Sequence, residues 1–220
     1  MTNPYPFAAV LFDMDGTIVD NVPLHQQVWH EFAHLHGLNP SEAELEFAKG
    51  RKAVEVISFL FGTLTPEEVS QLTAERQVLY RQRLAESQTV RTIPGVEKFL
   101  TGLGELGVVR VLATSAPFVN VEAVFNKFHL TPYFEAIVTS ENVCHGKPDP
   151  EIFLTAAQRA GAKPEDCLIA EDSEAGIIAA KAAGATCLGL ITTQSKADLQ
   201  EQGADFVASD FLSLPEPIAL

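Results

Sequence analysis

From residue 103 onward the chain alternates short apolar runs with helical spacing. Residues 108–114 form an apolar, β-branched run, and 118–129 carry a helical period. Residues 136–139 predict a short strand, and 151–160 a helix opened by Pro150. Another strand is expected at 167–170, a helix at 173–183 ended by Gly184, a strand at 186–191 and a short last one at 205–208. These strands lack polar alternation, the mark of strands covered by helices on both faces and therefore of a parallel sheet. Residues 8–12 fit as the first strand of that sheet.

Between residues 19 and 88 the alternation gives way to helical periods at 24–36, 41–49, 53–61 and 66–85. Start signals accompany them: Ser41 with Glu44 three residues on, and Thr65-Pro66-Glu67-Glu68. A helical block between the first strand and the rest of a parallel sheet reads as an insertion. The expected fold is α/β: a Rossmann-like doubly wound core of residues 1–18 and 89–220, with an inserted α-helical cap domain at 19–88. The cap is expected to open and close over the sheet, with hinges near residues 19–20 and 88–91.

Composition narrows the partners. The 220 residues are 46% hydrophobic, so a buried core is expected. A formal net charge of −14 argues against a nucleic-acid or anionic-membrane partner, since both need a basic face. No stretch approaches the roughly 20 apolar residues that span a bilayer. The run at 7–12 is short, lacks basic flanks and ends in Asp13, so it reads as a strand rather than a signal peptide. Three widely spaced cysteines, Cys144, Cys167 and Cys187, form no CxxC pair. They point to reduced thiols, a cytoplasmic location and small buried residues.

Ligands of an open parallel sheet bind beyond the carboxyl ends of its strands. Four polar clusters fall there: Asp13-Met14-Asp15-Gly16-Thr17, Ala113-Thr114-Ser115, Gly146-Lys147-Pro148-Asp149-Pro150 and Glu171-Asp172-Ser173. Together they make one convergent site. In this set the chain resembles the haloacid dehalogenase superfamily, in its β-phosphoglucomutase and sugar-phosphate phosphatase branch. The likeness runs over nearly the whole chain, with all four motifs in the family's order and spacing.

The resemblance implies a magnesium-dependent phosphatase acting on a small phosphorylated metabolite, a sugar or polyol phosphate. Asp13 is the expected nucleophile, forming an aspartyl-phosphate; a carboxylate capping the strand-to-loop turn is the alternative. Asp15 is the expected general acid and base, or else a turn residue holding Gly16. By resemblance, Asp13, the Asp15 carbonyl and Asp172 hold Mg2+, with Glu171 nearby or also coordinating; an N-cap is the other role open to Asp172. Lys147 is expected to bind the transferring phosphoryl group and Asp13, and Thr114 and Ser115 to cradle phosphate.

In the cap, Lys49-Gly50-Arg51-Lys52 is a basic cluster in an acidic chain. Arg51 or Lys52 is expected to meet the far end of an anionic substrate at the turn containing Gly50; a solvated turn is the alternative. β-Phosphoglucomutases carry Gly-Val-Ser-Arg here, which would place their arginine at Ala53. That favours a phosphatase over a mutase, although His25 and Trp29 fall where mutases also carry a His and a Trp. His25 either orients Asp15 or packs between cap and core. An inorganic pyrophosphatase is a third reading. Asp15 argues against a dehalogenase and against a phosphonate hydrolase. His30, His34 and His36 lack a supporting third ligand, and Phe32, Phe47, Phe59 and Phe61 are expected in the cap core. Oligomeric state is left open.

Overall fold

The computed structural model describes residues 5–47 and 51–220; of Glu46 the backbone alone is described. Six parallel strands form the core sheet: β1 (Ala9–Phe12), β4 (Val109–Ala113), β5 (Ala136–Val138), β6 (Cys167–Glu171), β7 (Thr186–Leu190) and β8 (Phe206–Ala208). Their order is β5-β4-β1-β6-β7-β8. The winding reverses at β1, so a crevice opens beyond the carboxyl ends of β4, β1 and β6.

Successive strand residues face opposite sides of the sheet. Val10, Phe12, Leu112 and Leu168 look to one side, where they pack with Phe99, Leu100 and Val121. Leu11, Val111, Ile169 and Cys187 look to the other, against Phe153, Ala156 and Ile177. Helices α5 (Val96–Glu105) and α6 (Phe118–Phe128) cover the first face. Helices α7 (Glu151–Ala160), α8 (Glu174–Ala182) and α9 (Lys196–Glu201) cover the second. Each fully buried side chain of this size contributes roughly 1.5–3 kcal/mol.

A two-stranded antiparallel ribbon, β2 (Val19–Asp20) with β3 (Arg91–Thr92), joins core and insert. Between them run α1 (Val22–Leu35), α2 (Glu42–Glu46), α3 (Ala53–Phe61) and α4 (Pro66–Glu86). Capping boxes fix two of these starts: Ser41 with Glu44, and Thr65 with Glu68, the latter followed by Pro66. The insert has its own apolar centre of Trp29, Phe32, Leu45, Val56 and Ile57. Leu24, Val28, Tyr80 and Leu84 instead join the core cluster, so α1 and α4 also pack toward the six-stranded core.

Several expectations change. Phe59 is 48% exposed and stacks on Phe47 at 4.3 Å, outside the insert's buried centre. Cys144 is exposed, whereas Cys167 and Cys187 are buried. The helix expected at 41–49 is seen as Glu42–Glu46, and residues 48–50 lie outside the described ones. No helix among the described residues is long and apolar enough to cross a membrane.

Candidate active site

Asp13 follows β1 directly, and its N–H donates to Ala170 O at 3.0 Å, so the nucleophile candidate leaves the sheet beside β6. Gly16 then turns the chain with φ of 85°. A Cβ there would lie 2.3 Å from Asp172 Oδ2, so only glycine permits this approach.

Lys147 joins the strand ends. Its ammonium is 1% exposed and donates to Asp13 Oδ1 at 2.6 Å and to Glu171 Oε1 at 2.5 Å. Glu171 Oε2 accepts from Asp172 N and Ser173 N, each at 2.8 Å, and from Ser173 Oγ at 3.0 Å. Ser173 caps α8 through Gly176 N, which leaves Asp172 out of the capping role. Asp172 accepts from Thr17 Oγ1 at 3.0 Å and from Thr193 Oγ1 at 2.8 Å. Thr114 is buried beyond β4; its Oγ1 accepts from Ala116 N at 3.1 Å, and it lines the cavity with Ser115.

The acids are short of positive charge. Burial, then Glu171, push Asp172 up to about 7, against Thr193, Thr17 and Lys147. Burial likewise raises Asp13 well above the usual carboxylate range; Lys147 opposes this, while Glu171, Asp172 and Asp15 add to it. Among the described residues, the four carboxylates Asp13, Asp15, Glu171 and Asp172 share this crevice with two buried cations, Lys147 and Arg76, while Arg51 at its rim is paired with Glu55. Such an excess of buried negative charge is costly. Hard oxygen donors with uncompensated charge suit a magnesium ion, so the residues present fit one. Glu171 has both oxygens engaged and stands as the partner of Lys147.

Asp15 lies in a second network. Asn21 Nδ2 donates to Asp15 Oδ1 at 2.5 Å and to Tyr80 Oη at 2.8 Å. His25 Nε2 stands 3.4 Å from Asp15 Oδ2, an ion-pair distance without hydrogen-bond alignment. Arg76 donates to His25 Nδ1 at 2.8 Å. A guanidinium can only donate, so Nδ1 accepts and Nε2 carries the ring proton toward Asp15. Arg76 is 3% exposed, with its guanidinium 4.4 Å from the Trp29 ring and 5.6 Å from Tyr80; burial lowers it to about 10. Burial raises the Asp15 carboxyl, but His25, Asn21 and Arg76 outweigh it and hold the group below its ordinary value.

The basic turn divides. Arg51 lines the cavity, 3.8 Å from Glu55 Oε2 and 4.3 Å from the centre of the Phe47 ring. Lys52 is turned away from the cavity, donating to Val143 O at 3.1 Å and Cys144 O at 3.2 Å. Two carbonyls of a strand-end loop hold its ammonium, so of these two residues Arg51 is the one that lines the cavity. Lys49 and Gly50 lie outside the described residues. His36 meets Glu75 at 3.2 Å and packs on Phe32, while His30 and His34 are exposed.

A family model described as haloacid dehalogenase-like hydrolase matches residues 7–184. The chain belongs to the haloacid dehalogenase-like hydrolases. Within that superfamily it sits in the branch of β-phosphoglucomutase and sugar-phosphate phosphatases. It is 33% identical over 174 residues to hexitol phosphatase A of Escherichia coli K12, covering 79% of this chain and 78% of that one. It is 31% identical over 191 residues to the β-phosphoglucomutase of Bacillus subtilis 168, covering 83% and 82%. A haloacid dehalogenase hydrolase of family IA, variant 3, from Entamoeba histolytica superposes with a TM-score of 0.84 at 29% identity, covering 93% of both chains.

This hydrolase also uses residues that its sequence does not advertise. Asn21, Arg76 and Tyr80 build the Asp15 environment, and Thr17 and Thr193 hold Asp172. Asn120 Nδ2 donates to Gln77 Oε1 at 2.5 Å on the cavity wall. Asn21 had a signal, being polar directly after a strand near Asp15. Arg76 and Gln77 had none: they are polar residues in a long, mostly polar helix, and only its position over the crevice buries them.

Proposed function

We propose that this hydrolase removes the phosphoryl group from a small phosphorylated sugar or polyol through an aspartyl-phosphate on Asp13. The observation that carries the reading is the buried Lys147 ammonium bridging Asp13 and Glu171, beside the under-compensated Asp172. The Asp13 carboxylate, oriented by Lys147, attacks phosphorus, and the bond to the sugar oxygen breaks. Asp15 protonates that leaving oxygen, then as carboxylate takes a proton from water attacking the phosphoaspartate. Phosphate leaves and Asp13 is restored.

At rest Asp15 sits below its ordinary value, prepared as a base. An arriving phosphate dianion raises it toward protonation, while Asn21 and His25 keep it aimed. Magnesium, held by Asp13, Asp172 and the Asp15 carbonyl, would offset repulsion between dianion and nucleophile. Thr114 and Ser115 cradle the phosphoryl oxygens. We assign residues 19–88 as a cap domain whose movement about the β2–β3 ribbon admits substrate and controls water.

The hexitol phosphatase likeness supports the substrate class, and the β-phosphoglucomutase likeness keeps a mutase as the second reading. Phosphate release would be measured with magnesium over sugar phosphates, polyol phosphates, phosphoglycolate, nucleotides and pyrophosphate, with Asp13→Asn as control. Release concentrated on sugar or polyol phosphates and abolished in the variant is expected. Conversion of glucose 1-phosphate to glucose 6-phosphate without release, given a trace of bisphosphate, would replace the phosphatase by a mutase.

A further inference from the structure

We propose that Lys52 is a positioning residue that ties the helical insert to the loop carrying Lys147, so that the insert's seating sets the phosphate-site ammonium. The inference rests on the phosphatase reading and goes beyond it. Lys52 stands just before α3 and reaches across to the core, donating to the carbonyls of Val143 and Cys144. These lie four and three residues ahead of Lys147.

The same loop is held from its other side. Glu151, in the first turn of α7, accepts from Cys144 N at 2.9 Å and His145 N at 2.7 Å. The loop is therefore gripped through its N–H groups by the core and through its carbonyls by the insert. Gly146 makes the approach close. A Cβ there would come within 3.1 Å of Lys52 Cγ and 3.2 Å of Glu55 Oε1. The next residue is Lys147, whose ammonium reaches Asp13 and Glu171. Movement of α3 away from the core withdraws one of the two grips and loosens the segment leading into Lys147. A substrate ligand on this turn would act on affinity; a grip on this loop acts on turnover.

The test compares wild type, Lys52→Met, which keeps the apolar stem, and Lys52→Arg, which keeps the charge. Amide hydrogen exchange across residues 143–147 is read without substrate, alongside urea stability. Loss of charge-assisted bonds should speed exchange there by ~10-fold in Lys52→Met and leave Lys52→Arg near wild type. With p-nitrophenyl phosphate and magnesium, which offers no distant anion, kcat should fall ~10-fold in Lys52→Met with KM little changed, and recover in Lys52→Arg. Unchanged exchange in Lys52→Met would overturn the proposal, as would a loss confined to KM. An inactive wild type would refute the phosphatase reading, whereas the exchange comparison would still decide the grip.

Discussion

Replacing Gly176 by alanine should weaken this protein, although it puts the better helix former into α8. On propensity alone the change would stabilise a helix interior by about 1 kcal/mol. The added Cβ, however, would fall 1.8 Å from Glu171 Oε1 and 1.9 Å from Glu171 Cδ. A carboxylate at the end of a flexible side chain normally steps aside. This one is 1% exposed and held by the Lys147 ammonium, two N–H groups and a hydroxyl. Hydrogen bonds that involve a charged group are worth roughly 1.5–3 kcal/mol each. Losing two of them outweighs the propensity gain, for a net destabilisation of roughly 2–5 kcal/mol. Displacing Glu171 also unpins Lys147, so turnover should drop ~10–100-fold, between a strained contact and a missing one. Urea unfolding at fixed pH with EDTA, plus phosphate release with magnesium, would measure both. A variant that gains about 1 kcal/mol and keeps full activity would show that α8 does not need the space and that the Glu171 bonds are dispensable.

Other perturbations probe the same charges. Lys147→Met should cost roughly 3–5 kcal/mol near neutral pH, because it strands two buried carboxylates. Its removal raises the folded-state carboxyls further, so the deficit should shrink as pH falls; a pH-independent deficit would contradict the pairing. In EDTA, unfolded carboxyls release protons near pH 4 while native Asp172 holds its proton to about 7, and Asp13 is also raised. The native state then binds more protons across that window, so urea stability should fall as pH rises through it and be restored by magnesium. A flat profile in both conditions would count against an under-compensated acid cluster. Arg76→Met leaves His25 Nδ1 without its donor and should cost roughly 1–3 kcal/mol. It should also alter the pH profile of turnover, whereas an unchanged profile would separate Arg76 from Asp15.

Much of the core could be read from the chain because strand and helix were encoded in different periods. The six core strands fall close to their expected positions, since runs such as 167–170 carry no polar interruption. Helix α5 escaped notice because Gly102 and Gly104, poor helix formers, fall in its second half, although Val96, Phe99, Leu100 and Leu103 keep a helical period. Helix α9 is only six residues long, although Ser195 with Asp198 offered a capping signal. At the site, contiguous motifs at strand ends were legible because their chemistry sits in consecutive residues. The Asp15 network was not, since Asn21, Arg76 and Tyr80 meet only when α4 packs against α1. Lys52 illustrates the other limit: residue type announced a cation, but backbone carbonyls 91 and 92 residues away decided what it would bind.

The central claim is covalent capture of phosphate by one carboxylate, and trapping tests it most directly. Enzyme turning over a phosphorylated sugar with magnesium would be acid-quenched, reduced with borohydride and mapped by mass spectrometry. The account predicts conversion of residue 13 to homoserine, dependent on magnesium and absent in Asp13→Asn. Steady turnover with no modification at residue 13, or modification at a different carboxylate, would contradict it.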